Sequence, residues 1–449
     1  MLKRYEYDIA VIGGGPAGVC AALAAARSGA KVIIVEQYGV LGGMSTMGLV
    51  APWMTFHDMQ GTQVVRGIAQ EIVDELIRRN MCRGHVRDTM GETWTVTPYD
   101  NEGLKLVLAE MAEKEGVALL FHTFVFGCEV EGRRISALKA ANKDGEIRIR
   151  AKQYIDASGD GDIFAFAGCS YELGRETDHL MQPCTTNFSM YNVDFSRVRD
   201  HMLAHPEDFH DKTDLSMLKD GALPVSVSGF FEEWKQGTRE MDLNILRERI
   251  LFFRGIRDDI ATVNTTRLTE VDSTSADSMS RAEVILRRQV HQVAELLQKY
   301  VPGFEKAQIL NIAPVVGIRE GRRLTGRYVL TGDDLRAARR FPDDIAIYGY
   351  PIDQHHPDGA GFTQTTISAY GIPYRTLLPA EIDNLLVAGR CISCDREAQS
   401  SLRTTPGVMA IGEAAGAGAA MAAQADLPAS EINIEALQAL LKSRGVYLD

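Results

Sequence analysis

Val11-Ile12-Gly13-Gly14-Gly15-Pro16-Ala17-Gly18, followed downstream by Glu36, has the residue types and spacing to hold a dinucleotide. Residues 9–12 read as a short buried strand. Gly13 allows the tight turn, and Gly15 lets a pyrophosphate approach the backbone. Pro16 and Ala17 open a helix whose free N–H groups and dipole attract that anion, and Gly18 lets the helix pack close to the strand. Residues 31–35 read as the next parallel strand. Glu36, with Gln37 beside it, then stands at the strand's carboxyl end, where a carboxylate accepts hydrogen bonds from ribose hydroxyls and disfavours a 2′-phosphate.

A dinucleotide cofactor carries the hydride chemistry, so the protein must supply orientation and a proton acceptor or donor. Asp353-Gln354-His355-His356 follows an aromatic run, Ile347-Tyr348-Gly349-Tyr350. A histidine there titrates in the range needed to take a hydroxyl proton as hydride leaves, with His355 the first choice and His356 the second; the alternative is a pair of structural loop histidines. Gly317-Ile318-Arg319-Glu320-Gly321-Arg322-Arg323 sets three guanidinium groups around one carboxylate. Arg319 suits the bidentate anchoring of a substrate carboxylate, whereas Arg322 and Arg323 suit packing and ion pairs. Arg403 addresses substrate or cofactor. Adjacent histidines converge poorly on a metal and no zinc-like cluster accompanies them, so no metal is expected. Cys391 and Cys394 are expected to be ordinary small residues and not a redox pair.

Leu41-Gly42-Gly43-Met44-Ser45-Thr46-Met47-Gly48 follows the first unit directly, and Ala388-Gly389-Arg390-Cys391-Ile392-Ser393 lies near the C-terminus. With the Gly317–Arg323 segment, these carry a family resemblance across nearly the whole chain. The chain resembles bacterial FAD-dependent oxidoreductases of the glutathione-reductase superfamily, related to the branch of succinate dehydrogenase and fumarate reductase flavoproteins. The resemblance implies FAD as cofactor, with Gly42, Gly43, Met44, Ser45 and Thr46 in its binding loop, the backbone of Val125 at the adenine, and a second contact at Ser158, Gly159 and Asp162. It also implies a late helix start, Thr405, Gly407 and Val408, pointing at the flavin pyrimidine ring. Arg390, with Gly389, takes a cofactor role, although related flavoproteins carry an acidic residue near this point. The stretch at Gly42–Ser45 lacks the histidine by which the fumarate reductase branch attaches its flavin covalently, so the FAD is expected to be noncovalent.

These residues need an α/β scaffold. Helical spacing over residues 64–80 and 103–114 places two helices around the cofactor domain. Residues 117–126, 135–141 and 146–154, with Asp144-Gly145 as a hairpin turn, read as a three-stranded meander inserted into the βαβ pattern. Residues 154–162 return as a strand ending in small residues, with Asp162 placed to cap a helix starting at Ile163. Residues 385–389 restore a buried strand, and Thr405 reads as the N-cap of a helix with Pro406 at its first position. Gly412, Gly416 and Gly418 would let that helix lie close to the sheet. Residues 171–370 lose the βαβ rhythm. The expected fold is therefore α/β: a discontinuous Rossmann-like FAD-binding domain, residues 1–170 and 371–449, plus an α+β substrate-capping domain, residues 171–370. No second Gly-x-Gly-x-x-Gly marks a nicotinamide domain.

Composition bounds the function. At 449 residues the chain suits two domains. Its net charge of −12 disfavours nucleic acid and anionic membranes. Residues 1–7 leave no room for a signal peptide, and residues 408–423, which contain Glu413, lack the apolar length of a membrane span, so a cytoplasmic protein without membrane insertion is expected. Seven scattered cysteines argue for reduced thiols. The preferred function is an FAD-dependent dehydrogenase or oxidase moving a hydride between FAD and a CH–OH or CH–CH bond of a small polar metabolite. A flavoprotein subunit of an electron-transfer assembly and a nonenzymatic FAD-binding regulator are the alternatives. The sequence names neither the electron acceptor nor the substrate, and leaves a homo-oligomer open.

Overall fold

The computed structural model describes residues 3–449; Met1 and Leu2, part of the N-terminal stretch read above, lie outside the described residues. Its centre is the strand Lys3–Ile12, flanked in parallel by Val32–Val35 on one side and by Gly145–Asp156 on the other. Ala118–Leu120 extends the sheet beyond Val32–Val35. These inner runs of Val, Ile and Leu are covered on both faces, which is why they show no alternation.

On its edge away from Lys3–Ile12, Gly145–Asp156 serves two further neighbours. Its first half pairs antiparallel with Arg134–Asn142, which pairs in turn with Phe124–Glu131 to make the meander. Its last residues, Tyr154–Asp156, pair parallel with Leu385–Val387. The single strand expected over residues 117–126 is two strands. His122, in the left-handed region at φ 51°, turns the chain between Ala118–Leu120 in the parallel sheet and Phe124 in the meander.

A second, wholly antiparallel sheet runs in the order Ser226–Gly229, Ile250–Arg254, Ala261–Val263, Phe188–Tyr191, Gln308–Ile312. Helices Phe195–Ala204, Phe231–Glu240 and Ala276–Tyr300 close its own core around Phe188, Phe230, Phe252 and Leu297. The expected covering segment, 171–370, therefore divides. Residues 188–312 form this second unit, whereas Leu324, Leu335, Ile345, Tyr348 and Tyr370 join the core around the parallel sheet. The sequence could not separate them, because both parts lack the βαβ rhythm for the same reason: their strands pair antiparallel.

The long helix Thr405–Ala425 packs along Pro16–Arg27. A Cβ on Gly412 would lie 2.1 Å from the Ala17 carbonyl oxygen, and one on Gly416 would lie 1.9 Å from that of Ala21. These two glycines thus seat helix against helix, whereas Gly418 faces the Tyr374 ring; the expected close approach to the sheet is made instead to the helix above it. No helix among the described residues is long and apolar enough to cross a membrane.

Candidate active site

One cavity of about 710 Å³ runs from the end of the Lys3–Ile12 strand to the second sheet, with Leu251 and Phe253 of that sheet, and Asn264 just after its strand Ala261–Val263, in its wall. At its first end lie Gly13, Gly15, Pro16 and Ala17. Gly15 is the N-cap of Pro16–Arg27 in ordinary extended backbone, φ −69°, ψ −179°, so its conformation does not require glycine. Nor does packing: a Cβ there would find only Gly43 Cα, at 4.0 Å. The missing side chain leaves room for something in the cavity. Gly18, by contrast, lies outside the wall and serves packing, since its Cβ would meet the Gly13 carbonyl oxygen at 1.9 Å.

Glu36 and Gln37 line the same end. The Glu36 carboxylate accepts hydrogen bonds from Gly14 N at 2.6 Å and Tyr38 N at 2.8 Å, and burial raises its pKa above the ordinary value. Each oxygen keeps a lone pair for a hydroxyl donor. Gly43 and Met44 stand in the wall, but Gly42, Ser45 and Thr46 stand behind it. Gly42 N donates to Gly14 O at 2.7 Å, Ser45 receives Trp53, Tyr99 and Asn101, and Thr46 Oγ1 donates to Leu41 O at 2.7 Å. These three hold the loop.

Val125, Ser158, Gly159, Asp162, Gly389 and Arg390 also reach the cavity. The helix after Ser158 runs Asp162–Phe166 and is capped by Asp156, not by Asp162 as expected: Asp156 Oδ2 accepts from Ile163 N and Phe164 N at 2.9 and 3.1 Å. A carboxylate fixed at the strand end reaches those amides, while Asp162, inside the first turn, pairs with Arg322 at 3.0 Å. Burial and then Asp156 push Asp162 up to about 6. Arg390 pairs with Asp160 at 2.9 Å.

The late helix begins at Thr405, one residue earlier than expected, with Thr404 as N-cap and no side-chain cap. The Thr404 hydroxyl is taken by Tyr348 and by Ser401 O, which leaves the helix N-terminus open. Thr404, Thr405 and Val408 line the cavity, whereas Gly407 makes room for the Tyr348 ring, 2.8 Å from its would-be Cβ. Two helix N-termini without side-chain caps, those of Pro16–Arg27 and Thr405–Ala425, therefore open into one cavity. Asn187 Oδ1 and Arg390 Nε, both on residues of the wall, are buried without a hydrogen-bond partner. Open N-termini, an unneeded glycine side chain and unpaired buried donors and acceptors fit an elongated, anionic, hydrogen-bonding dinucleotide.

At the other end the strand Ile352–His355 and its partner Phe362–Thr365 form a hairpin whose connecting loop is gripped by Arg267. That guanidinium donates to the carbonyls of His356, Gly359 and Gly361 and, at 3.3 Å, to His355 Nδ1. His355 Nε2 faces Asp353 Oδ2 at 3.4 Å. Arg403 lies 3.5 Å from the same oxygen and donates to Asp353 O. Burial would raise Asp353, but the His355 ring, Arg403 and Arg319 outweigh it and hold the carboxyl well below the usual carboxylate range. Burial, with Arg319 and Arg403, pushes His355 down to about 3 despite Asp353. Both ring nitrogens are engaged, one facing Asp353 and the other Arg267, and the lowered pKa departs from the expectation of a histidine that titrates near neutrality. His356 is on the exposed side, bonded to Thr363 at 2.9 Å, and does not reach the cavity.

Arg319 lines the cavity with its Nη1 tied to Pro183 O and Thr185 Oγ1 at 2.7 and 2.6 Å. Burial first, then Arg403 and Arg267, push it down to about 10. Arg323 and Arg396 instead enclose buried Glu320, a structural cluster. Among the wall residues that went unread in the sequence are Glu92, Arg247 and Arg249. Arg247-Glu248-Arg249 leads into the strand Ile250–Arg254, with Glu248 exposed and the arginines on either side of it in the wall, and such a pair before an apolar strand is a signal legible in the sequence. Glu92 is buried 3.6 Å from Arg249, and burial, then Asp353, push it up to about 7. Cys391 and Cys394 are fully buried with their thiols raised by burial, and no disulfide forms among the described residues.

The model of the family described as FAD dependent oxidoreductase matches residues 8–441. The chain belongs to that family. This flavoprotein is also similar to the thiamine thiazole synthase of Aeropyrum pernix, 43% identical over 74 residues, 16% of this chain and 24% of that protein. Ferredoxin–NADP reductase 2 of Listeria welshimeri is 41% identical over 77 residues, 17% of this chain and 22% of that one. The oxidoreductase thus spans only about a quarter of these curated relatives. A solved geranylgeranyl bacteriochlorophyll reductase-like protein of Thermoplasma acidophilum, 14% identical, superposes with a TM-score of 0.50, covering 98% of this chain and 84% of that one; this likeness is one of fold. FAD is the cofactor of this enzyme.

Proposed function

We propose that this oxidoreductase transfers a hydride between noncovalent FAD and a CH–OH or CH–CH bond of a small polar metabolite. The segments Gly42–Gly48, Gly317–Arg323 and Ala388–Ser393 support a relation to the succinate dehydrogenase and fumarate reductase branch. The carrying observation is that a single cavity joins the glycine-rich end to the Arg319–Asp353–Arg403 end. Bound FAD supplies the hydride acceptor or donor. The open N-terminus of Pro16–Arg27 holds the pyrophosphate, Glu36 the ribose, and Gly389, Arg390 and the Thr405–Ala425 N-terminus the flavin end. Residues 1–170 and 371–449 carry most of this wall, and the second sheet closes the substrate end.

Arg319, with its free Nη2, anchors the substrate. Glu92 exchanges the proton at its carboxylate, since at this end of the wall it is the acid pushed up to about 7, whereas Asp162 lies at the cofactor end paired with Arg322. Asp353, Arg403 and Arg267 fix His355, which shapes the pocket beside Phe362, the two rings stacked at 5.8 Å. Anaerobic mixing of the yellow holoprotein with a metabolite library tests the reading. At least one small metabolite should bleach the flavin; bleaching by dithionite but by none of a broad set of hydroxy acids, alcohols and their unsaturated counterparts would reject it.

A further inference from the structure

The chain carries a net charge of −12, yet the far end of the cavity is lined by Arg247, Arg249, Arg319 and Arg403. Glu92 faces Arg249 at 3.6 Å and Asp353 faces Arg403 at 3.5 Å. Arg247 and Arg319 have no carboxylate within ion-pair distance among the described residues. Arg319 uses only Nη1 on the protein, and the Arg247 side chain donates only from Nε, to Arg249 O at 3.1 Å. Their remaining guanidinium nitrogens have no hydrogen-bond partner and keep access to the cavity. Arg249 is held in place by the Phe362 ring, its guanidinium carbon 4.2 Å from the centroid.

Arg247 is pushed well below its ordinary value by burial and then by Arg249, Arg319 and Arg267, so these cations repel one another where water is scarce. Two unpaired guanidinium groups in such a place are costly once a ligand displaces their water, unless the ligand brings the opposite charge. A neutral or cationic substrate would leave both uncompensated.

We propose that the substrate is a small dianion, held by Arg319 through one anionic oxygen pair and by Arg247 and Arg249 through the other. Two sources share that chemistry: a dicarboxylate, and an acid carrying a phosphate. The inference rests on the hydride-transfer reading of the same cavity.

The test is equilibrium binding to the holoprotein, followed by perturbation of the flavin spectrum and by Tm. Malonate, succinate and citrate represent polycarboxylates, phosphoglycolate a phosphorylated acid, acetate a monoanion, erythritol a neutral polyol and putrescine a dication. The dianions should bind and raise Tm, the better of the two dianion arms naming the second anionic group, and acetate should bind at least tenfold more weakly. Arg247→Gln should weaken dianion binding at least tenfold while keeping its full FAD content. Absence of binding by every dianion, equal or tighter binding of erythritol or putrescine, or loss of FAD from Arg247→Gln would overturn the proposal; the last result would give the arginines to the cofactor. Flavin bleached only by a neutral metabolite would sink the dianion while sparing hydride transfer. Dianions that bind while no metabolite bleaches the flavin would do the reverse.

Discussion

Glu92 gives the site a measurable pH signature. Its pKa is raised from 4.5 to about 7, so the carboxylate needed to accept a proton forms as the pH rises through about 7. Anaerobic flavin reduction by the substrate should accelerate across that range, and Glu92→Gln should remove the step and slow reduction by about 10² or more. The same shift acts on stability with a definite sign. Between 4.5 and about 7 the folded chain holds a proton that the unfolded chain releases, so its stabilising contribution is complete below 4.5 and lost as pH rises through about 7. Glu92→Gln should therefore raise Tm relative to the parent above that range and leave it unchanged well below it. An unaltered rate and pH step in this variant would remove Glu92 from the chemistry. His355→Ala, which breaks the link between Asp353 and the Arg267-held hairpin, should slow reduction by up to about 10² and keep both FAD and the pH step. Disappearance of the step in His355→Ala would return the proton to the ring. The sequence singled out His355 by its place after an aromatic run, but the contact of its Nδ1 with Arg267, remote in the chain, shows only in the fold.

At the scale of elements, the contact of Thr405–Ala425 with Pro16–Arg27 sets the position of both open helix N-termini. Gly416 is the tightest point, with the Ala21 carbonyl oxygen where a Cβ would go. Gly416→Val should cost about 1–3 kcal/mol in denaturant unfolding and lower FAD affinity, as the helices are forced apart. Unchanged stability would show that the helices do not depend on this close approach. Much of this layer was legible. The Gly13–Gly18 turn, the paired inner strands and the late helix follow from local spacing, because parallel strands and helix starts carry short-range signals. The caps were not: Asp156 outcompetes Asp162, and Thr404 precedes Thr405, since which side chain reaches an N-terminus depends on the strand that delivers it. The division at residues 188–312 was equally hidden, as antiparallel pairing between distant segments leaves no local mark.

The whole molecule places an electronegative chain around an electropositive pocket, with the parallel sheet supplying one end of the cavity and the antiparallel sheet the other. The proposed noncovalent FAD should leave intact on acid or heat treatment, and flavin that stays with the denatured chain would contradict that attachment. The decisive measurement is the flavin-to-protein ratio of Gly15→Val. Because Gly15 has extended backbone and nothing closer than Gly43 Cα to a Cβ, the variant should fold with the Tm of the flavin-free parent, and because the side chain enters the cavity at the pyrophosphate position it should carry no FAD. A folded Gly15→Val protein that binds FAD with the parent's affinity would show that the glycine-rich turn is not the phosphate site and would contradict the account.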